Sequence, residues 1–242
     1  MVKVVSYQSG MSNGYFLVDK SVIAVDTGSL EDENSFLSAC ADCGIAPADI
    51  KLIVITHGHC DHFQNLSCMK RLTGAPALCH KNAEVFLREG LWPNKVGRTW
   101  VGEDIIRIEA AEGVDMDHVA QVEPDILIED EYDLHPWGVA ARVLPARGHS
   151  EGDLVVLTDD GDALVGDLYA EGPGYGKSGP AFFMGPGDAF MDAVESVEHI
   201  LALGAHTFWS GHGGPFSRDE VEKNTAMDRA EGPTAGKPTE RD

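Results

Sequence analysis

The chain has 242 residues, 43% of them hydrophobic and 24% charged, an ordinary balance for one substantial buried core. No apolar run approaches the ~20 residues of a membrane span, and the apolar stretch over residues 1–5 is too short for a secretion signal, so neither a membrane protein nor a collagen, coiled coil or wholly disordered chain fits. Eighteen Lys and Arg against forty Asp and Glu leave a net charge of −22 with no basic cluster; that field repels phosphate backbones, and nucleic acid is not an expected partner.

Residues 2–7 read as a strand, Ser12-Asn13-Gly14 as a turn, and residues 15–18 and 22–26 as a hairpin pair closed by Asp26-Thr27-Gly28. A helix is expected over 32–43, stopped by Gly44. Residues 51–55 are apolar, β-branched and few, which predicts a buried strand ending at Thr56. Helix, strand and helix follow between Gln64 and about Leu87. Residues 88–124, with Trp92, Pro93 and Trp100, carry a loosely helical pattern that suits an insertion over a pocket.

Strands resume at 125–129, 139–145, 154–158 and 163–165, with Asp159-Asp160-Gly161-Asp162 turning between the last two. A Gly/Pro-rich loop over 171–187 leads to Asp188, the N-cap of a helix whose buried stripe is Phe190, Val194, Val197 and Leu201 and whose end is Gly204. Residues 207–209 make a last short strand and 220–229 a short helix; the Pro/Gly/charge-rich stretch 232–242 is expected to be a disordered tail. Strands, a helix and then strands again predict an α/β (α+β) fold. The expected architecture is a four-layer αββα sandwich of two mixed β-sheets, one domain over 1–231 with a shared core.

Five cysteines, at 40, 43, 60, 68 and 79, are odd in number and confined to the first third of the chain, which suits a reducing cytoplasm rather than a disulfide scaffold. Cys40-Ala-Asp-Cys43 falls at the C-terminal end of its helix, where the dipole does not lower a thiol pKa, so packing is the expected role rather than redox chemistry.

Chemistry concentrates in Thr56-His57-Gly58-His59-Cys60-Asp61-His62, directly after the buried strand. Clustered histidines are too costly in a core without partners. In an extended turn His57 and His59 point to one side while Asp61 and His62 reach a neighbouring position, which supplies ligand pairs for two adjacent metals. Imidazole and carboxylate suit Zn²⁺, Mn²⁺ or Fe²⁺. His149, Asp167 and His212 each follow a strand and are flanked by glycine, which permits close approach. Cys60 is expected to be a small filler inside this loop.

These motifs, with Val25-Asp26-Thr27-Gly28, resemble the metallo-β-lactamase superfamily, and the resemblance runs to about residue 216. It implies that His57, His59 and His149 hold a first metal, that Asp61, His62 and His212 hold a second, and that Asp167 bridges them, with Asp26 orienting the histidine loop. The implied cofactor is two divalent ions, zinc by expectation, with iron or manganese as alternatives. The full set is similar to the dinuclear glyoxalase-II-like hydrolases; an aspartate at 167, where true β-lactamases of the family usually have cysteine, argues against a β-lactam substrate. Tyr169 lies two residues beyond the bridging aspartate, near where the family's lactonases place a tyrosine.

The expected reaction is therefore attack of an activated water on a thioester, ester or lactone carbonyl, with Asp61 both ligand and catalytic partner of the nucleophile. Residues 88–124 and the 169–187 loop, with Tyr169, Tyr175, Lys177, Phe182 and Phe183, are expected to frame the pocket; Tyr169 and Lys177 are candidate substrate contacts. The alternatives are a mononuclear non-haem iron dioxygenase acting on persulfides through His57, His149 and Asp167, and a phosphodiesterase, which the net charge disfavours. The expected partner is a small-molecule substrate, without nucleic acid or membrane; a homo-oligomer is compatible with the sequence.

Overall fold

A computed structural model of the chain describes residues 1–29, 31–91, 102–103, 107, 119–172, 177–180 and 189–234. The pocket-framing expectations for residues 92–100, Tyr175, Phe182 and Phe183, the Asp188 cap, and the tail beyond 234 lie outside those residues.

The first sheet contains β1 (Lys3–Ser9), β2 (Ser12–Val18), β3 (Val22–Val25), β4 (Ile50–Val54), β5 (Ala77–His80) and β6 (Ile126–Ile128), in that spatial order. Its first three strands are antiparallel and its last four parallel. The second sheet runs β14 (Phe216–Ser217), β13 (Thr207–Ser210), β10 (Asp162–Gly166), β9 (Asp153–Thr158), β8 (Ala141–Ala146) and β7 (Tyr132–Asp133). Only β10 and β13 pair in parallel there. Both sheets are mixed, as expected. A separate hairpin joins β11 (Tyr169–Gly172) and β12 (Lys177–Pro180).

Alternation of side chains along the strands sorts the core into three layers. On β3 and β4, Val22, Ala24 and Ile53 face the helices α1 (Glu33–Asp42) and α3 (Leu66–Thr73), whereas Ile23, Val25, Leu52 and Val54 face the second sheet. On β9 and β10, Leu154, Val156 and Leu164 complete that inter-sheet layer. Val155, Leu157, Ala163 and Val165 pack outward against α5 (Ala189–Ala202) and α6 (Arg218–Glu231). Covering on both faces explains why these strands read as continuous apolar runs. The chain is an αββα sandwich, and the ends of β3 and β4 meet the ends of β8, β10 and β13 at one rim.

Three expectations are corrected. Ser12-Asn13-Gly14 is strand, not turn: the reversal is at Gly10-Met11, and a side chain at Gly14 would collide with the Tyr7 ring. The loop expected over 171–187 contains strand β12 and the end of β11. Sheet-edge strands β7 and β14, two residues each, carry too little pattern to be read locally. Cys40 and Cys43 end α1, and burial pushes the Cys40 thiol up to about 11 and Cys43 upward too, consistent with packing residues rather than reactive thiols.

Candidate metal centre

Residues 56–62 leave β4, bend at His57-Gly58 and then turn once as α2 (Cys60–Phe63), which puts Asp61 and His62 on a short helical turn beside the two preceding histidines. Asp26, at the end of β3, braces this loop. Its Oδ1 accepts from the Thr56 N–H at 2.8 Å, its Oδ2 accepts from the Thr56 hydroxyl at 2.8 Å, and the same oxygen lies 2.8 Å from His62 Nδ1. To do so Asp26 adopts φ 58°, the left-handed region that aspartate tolerates better than most residues. Thr27 adds bonds from its N–H and hydroxyl to the His62 carbonyl, and the Tyr7 hydroxyl donates to the Asp26 carbonyl.

His149 lies on the loop between β8 and β9. Asp153, the first residue of β9, accepts from the His149 N–H at 2.9 Å and from the N–H and hydroxyl of Ser150. Burial pushes the Asp153 carboxyl up to about 7 despite these bonds. Gly148 fits because a side chain there would strike Ala193 of α5. Asp167 follows β10 and His212 follows β13. Between them Gly211 has no room for a Cβ, which would collide with both Asp167 Oδ1 and the His62 ring. These glycines let the two sheets close on one buried point.

Seven side chains converge there in two sets, His57, His59, His149 and Asp167, and Asp61, His62, Asp167 and His212; within each set the donor atoms all lie within 4.8 Å of one another. In the first set the three imidazole nitrogens stand 2.8, 2.9 and 3.1 Å apart. In the second, Asp167 lies 3.3 Å from both His62 Nε2 and His212 Nε2, and Asp61 lies 3.1 Å from His212 Nε2. Among the described residues, Asp167 alone belongs to both.

The electrostatics divide the same way. Burial first, and then the neighbouring histidines, hold His57 and His59 well below the ordinary imidazole pKa; burial brings His149 down to about 4 even against Asp167. These rings are neutral at pH 7, the form that ligates metal. Burial opposes charge on the two carboxyls, but the histidines outweigh it: His62 and His212 hold both Asp61 and Asp167 well below the usual carboxylate range. Burial likewise opposes a charge on His62 and His212, yet the surrounding carboxylates hold His62 well above its ordinary value and His212 up to about 10.

The residues fit divalent cations. Three ring nitrogens facing one another cannot all be satisfied by imidazole hydrogens, whereas one cation satisfies all three. His149 Nδ1 is buried without a hydrogen-bond partner, and His62 Nε2 and Asp167 Oδ1, buried 3.3 Å apart, face the centre of the second set. A donor set of imidazole and carboxylate is the kind that takes zinc, iron or manganese.

Of the residues singled out in the sequence, the seven expected ligands meet and Asp26 braces them. Tyr169 is not at the rim: it is fully buried, its ring packs on Phe208 and Phe216, and its hydroxyl is engaged by Ser178 and Asn224. Burial pushes its phenol up to about 12. The expectation of a direct substrate contact is thereby corrected, because the side chain is turned into the core. Lys177 lies on β12, and its side chain is outside the described residues. The supporting roles of Asp153 and Thr56 escaped the sequence reading, although an acid four residues after His149 was a visible signal.

The family model described as the metallo-beta-lactamase superfamily matches residues 8–212. The metallo-beta-lactamase domain-containing protein 1 of Xenopus laevis is 26% identical over 229 residues, covering 87% of this chain and 77% of that protein. Its human counterpart is 50% identical over 44 residues, 18% of this chain and 16% of that protein. Among solved structures, a metallo-beta-lactamase family protein of Thermus thermophilus is similar with a TM-score of 0.65 at 22% identity, over 95% of this chain and 79% of that one. A metallo-beta-lactamase superfamily protein of Sulfolobus tokodaii gives 0.61 at 18%, over 92% and 84%. At these identities the structures speak for the fold alone. The family match begins in β1 and runs to His212 itself, taking in every residue of the cluster, and the chain belongs to the metallo-beta-lactamase superfamily.

Proposed function

We propose that the protein is a metal-dependent hydrolase with a dinuclear centre, acting on a thioester, ester or lactone carbonyl in the manner of the glyoxalase-II-like branch. The observation that carries this reading is that both four-residue donor sets are complete and share Asp167. A mononuclear iron dioxygenase would use His57, His149 and Asp167 and leave Asp61 and His212 without a role. His57, His59, His149 and Asp167 would hold one ion and Asp61, His62, Asp167 and His212 the other, zinc by expectation. Divalent ions held there supply Lewis-acid activation of water and of the substrate carbonyl oxygen.

The chain's own residues handle the protons. Asp61 is the more accessible carboxylate, its side chain 12% exposed against 4% for Asp167. Ionised at rest, it would take the proton that the attacking water loses and give it to the leaving group, returning to the carboxylate. Asp26 keeps His62 Nδ1 occupied and so directs Nε2 inward.

The test is elemental analysis of freshly purified protein, followed by a panel of thioesters, lactones and phosphodiesters. About two equivalents of zinc, manganese or iron with carbonyl hydrolysis is the expected result. One equivalent of iron with oxygen uptake on a persulfide would replace this reading with the dioxygenase, and no metal after reconstitution would remove both.

The two sets also differ in the protons they carry. His62 and His212 hold protons at pH 7 in the metal-free protein, so an ion reaching their Nε2 atoms must displace them. Loading of that set should release about two protons and weaken by roughly tenfold per proton for each unit of pH lost. At pH 7 His57, His59 and His149, held neutral by burial, release none. Calorimetry in two buffers of different ionisation enthalpy counts the protons; equal release from both steps would contradict the assignment.

A further inference from the structure

His212 is the most exposed of the five histidine ligands, its side chain 19% open where His57, His59, His62 and His149 are buried. Its loop therefore depends on what grips it from outside. On one side Asn13 of β2 donates its backbone N–H to the Gly211 carbonyl and its side-chain amide to the carbonyls of Ser210 and Gly213. On the other, the Glu171 N–H of β11 donates to the His212 carbonyl at 3.0 Å, and Glu171 abuts Gly213, where a Cβ would sit 2.7 Å from its own.

The hairpin β11–β12 belongs to neither large sheet, so its position is fixed by other contacts. The Asn224 side-chain amide of α6 lies within 3.0–3.1 Å of three acceptors, the Tyr169 hydroxyl on β11 and the carbonyl and hydroxyl of Ser178 on β12. Ser178 in turn donates to Glu220, one turn earlier on α6. Tyr169 and Ser178 are buried, so these bonds are shielded from water and each partner would be costly to strand.

We propose that Asn224 is a positioning residue for His212: through Tyr169 and Ser178 it seats the hairpin, whose Glu171 N–H sets the His212 carbonyl and hence the ring, so that α6 governs ion affinity at the Asp61/His62/Asp167/His212 set. The proposal rests on the metal-dependent reading above. The relay ends on His212, which meets the first set through the shared Asp167, so the first set should feel it less than the second.

The test is titration of the metal-free protein with Zn²⁺ in competition with a chromophoric chelator, which resolves a first and a second binding step. Asn224→Leu removes the donors at similar size and should weaken the second step on the order of tenfold, the range expected when a partner of a metal ligand is lost, and leave the first within about twofold. Asn224→Gln, which restores an amide, should recover part of that loss. Ser178→Ala, the milder change should the leucine variant not fold, should shift the same step in the same direction.

Val221→Ala, which trims a buried side chain of the same helix and removes no hydrogen bond of the relay, should lower the unfolding temperature and move neither step. Equal weakening of both steps, or no change in either, overturns the proposal. A wild type with no second step would overturn the two-set reading itself, and this proposal with it, and is read from the wild-type isotherm alone.

Discussion

Asp167→Asn should cut the ion content of the purified protein from about two equivalents to one or fewer and lower turnover by at least about 100-fold. That is the upper range seen when a partner one step further out is lost. The reason is position: Asp167 is the only side chain in both donor sets, with one oxygen 3.3 Å from His62 Nε2 and the other 3.3 Å from His212 and 3.7 Å from His149. Asparagine keeps the shape and discards the charge. It also removes the carboxylate that does most to hold His62 and His212 protonated in the metal-free protein, so both should titrate at lower pH. Two-dimensional NMR of the imidazole nitrogens follows that shift, and elemental analysis follows the metal. Unchanged metal content would refute the shared-donor assignment, whatever happened to turnover.

Removing one member of a buried charged cluster also costs stability, of order 3–5 kcal/mol in comparable cases. The variant must therefore be compared with the wild type in the metal-free state. A loss of stability that persists there belongs to the electrostatics of the cluster. A loss that appears only on loading belongs to the metal. His57, His59 and His149 lie well below their ordinary pKa at pH 7 for reasons of burial first, so their neutrality should survive the substitution.

What was legible in the sequence followed from local rules. That His57 to His62 follow directly on the buried strand β4 was readable from composition, whereas the helical turn that begins at Cys60 was not, an extended turn being expected there. The layers were legible because each strand sends alternate side chains into two different apolar layers, which leaves no polar face to interrupt the run.

What was not legible depends on distant partners. Asn13-Gly14 carries a strong turn signal, yet Gly14 is needed for the Tyr7 ring to lie against it, and Asn13 spends its side chain on carbonyls two hundred residues away. The hairpin β11–β12 hid in a Gly/Pro-rich stretch because its anchor is an amide on α6. Tyr169, placed at the pocket by its neighbourhood to Asp167, points the other way because a turn closed by the Leu168 N–H on the Val165 carbonyl separates β10 from β11 and breaks the alternation that would put residues two apart on one face.

Asp26 is the residue on which both donor sets lean, and Asp26→Ala is expected to be among the most damaging single changes. Its carboxylate accepts from the Thr56 N–H and hydroxyl and pairs with His62 Nδ1, all buried. Thr56 in turn places its hydroxyl 3.0 Å from His57 Nδ1, so the brace reaches His62 directly and His57 through one intermediate. Alanine strands the buried N–H, the hydroxyl and the ring nitrogen, and it must hold φ 58° without a side chain that tolerates it, which costs about 1–2 kcal/mol by itself. A total near 3–5 kcal/mol is expected.

Asp26→Asn separates the parts: it accepts the same backbone conformation and keeps one acceptor for Thr56, but offers no charge to His62. It should lose about 1–3 kcal/mol, the usual cost of one unsatisfied buried group. In the Zn²⁺ competition titration Asp26→Asn should weaken both steps, the second by roughly 10- to 100-fold and the first by less, where the Asn224 variants move the second alone. An asparagine variant with wild-type melting temperature and two unshifted steps would mean that packing orients the histidines and the Asp26 hydrogen bonds do not.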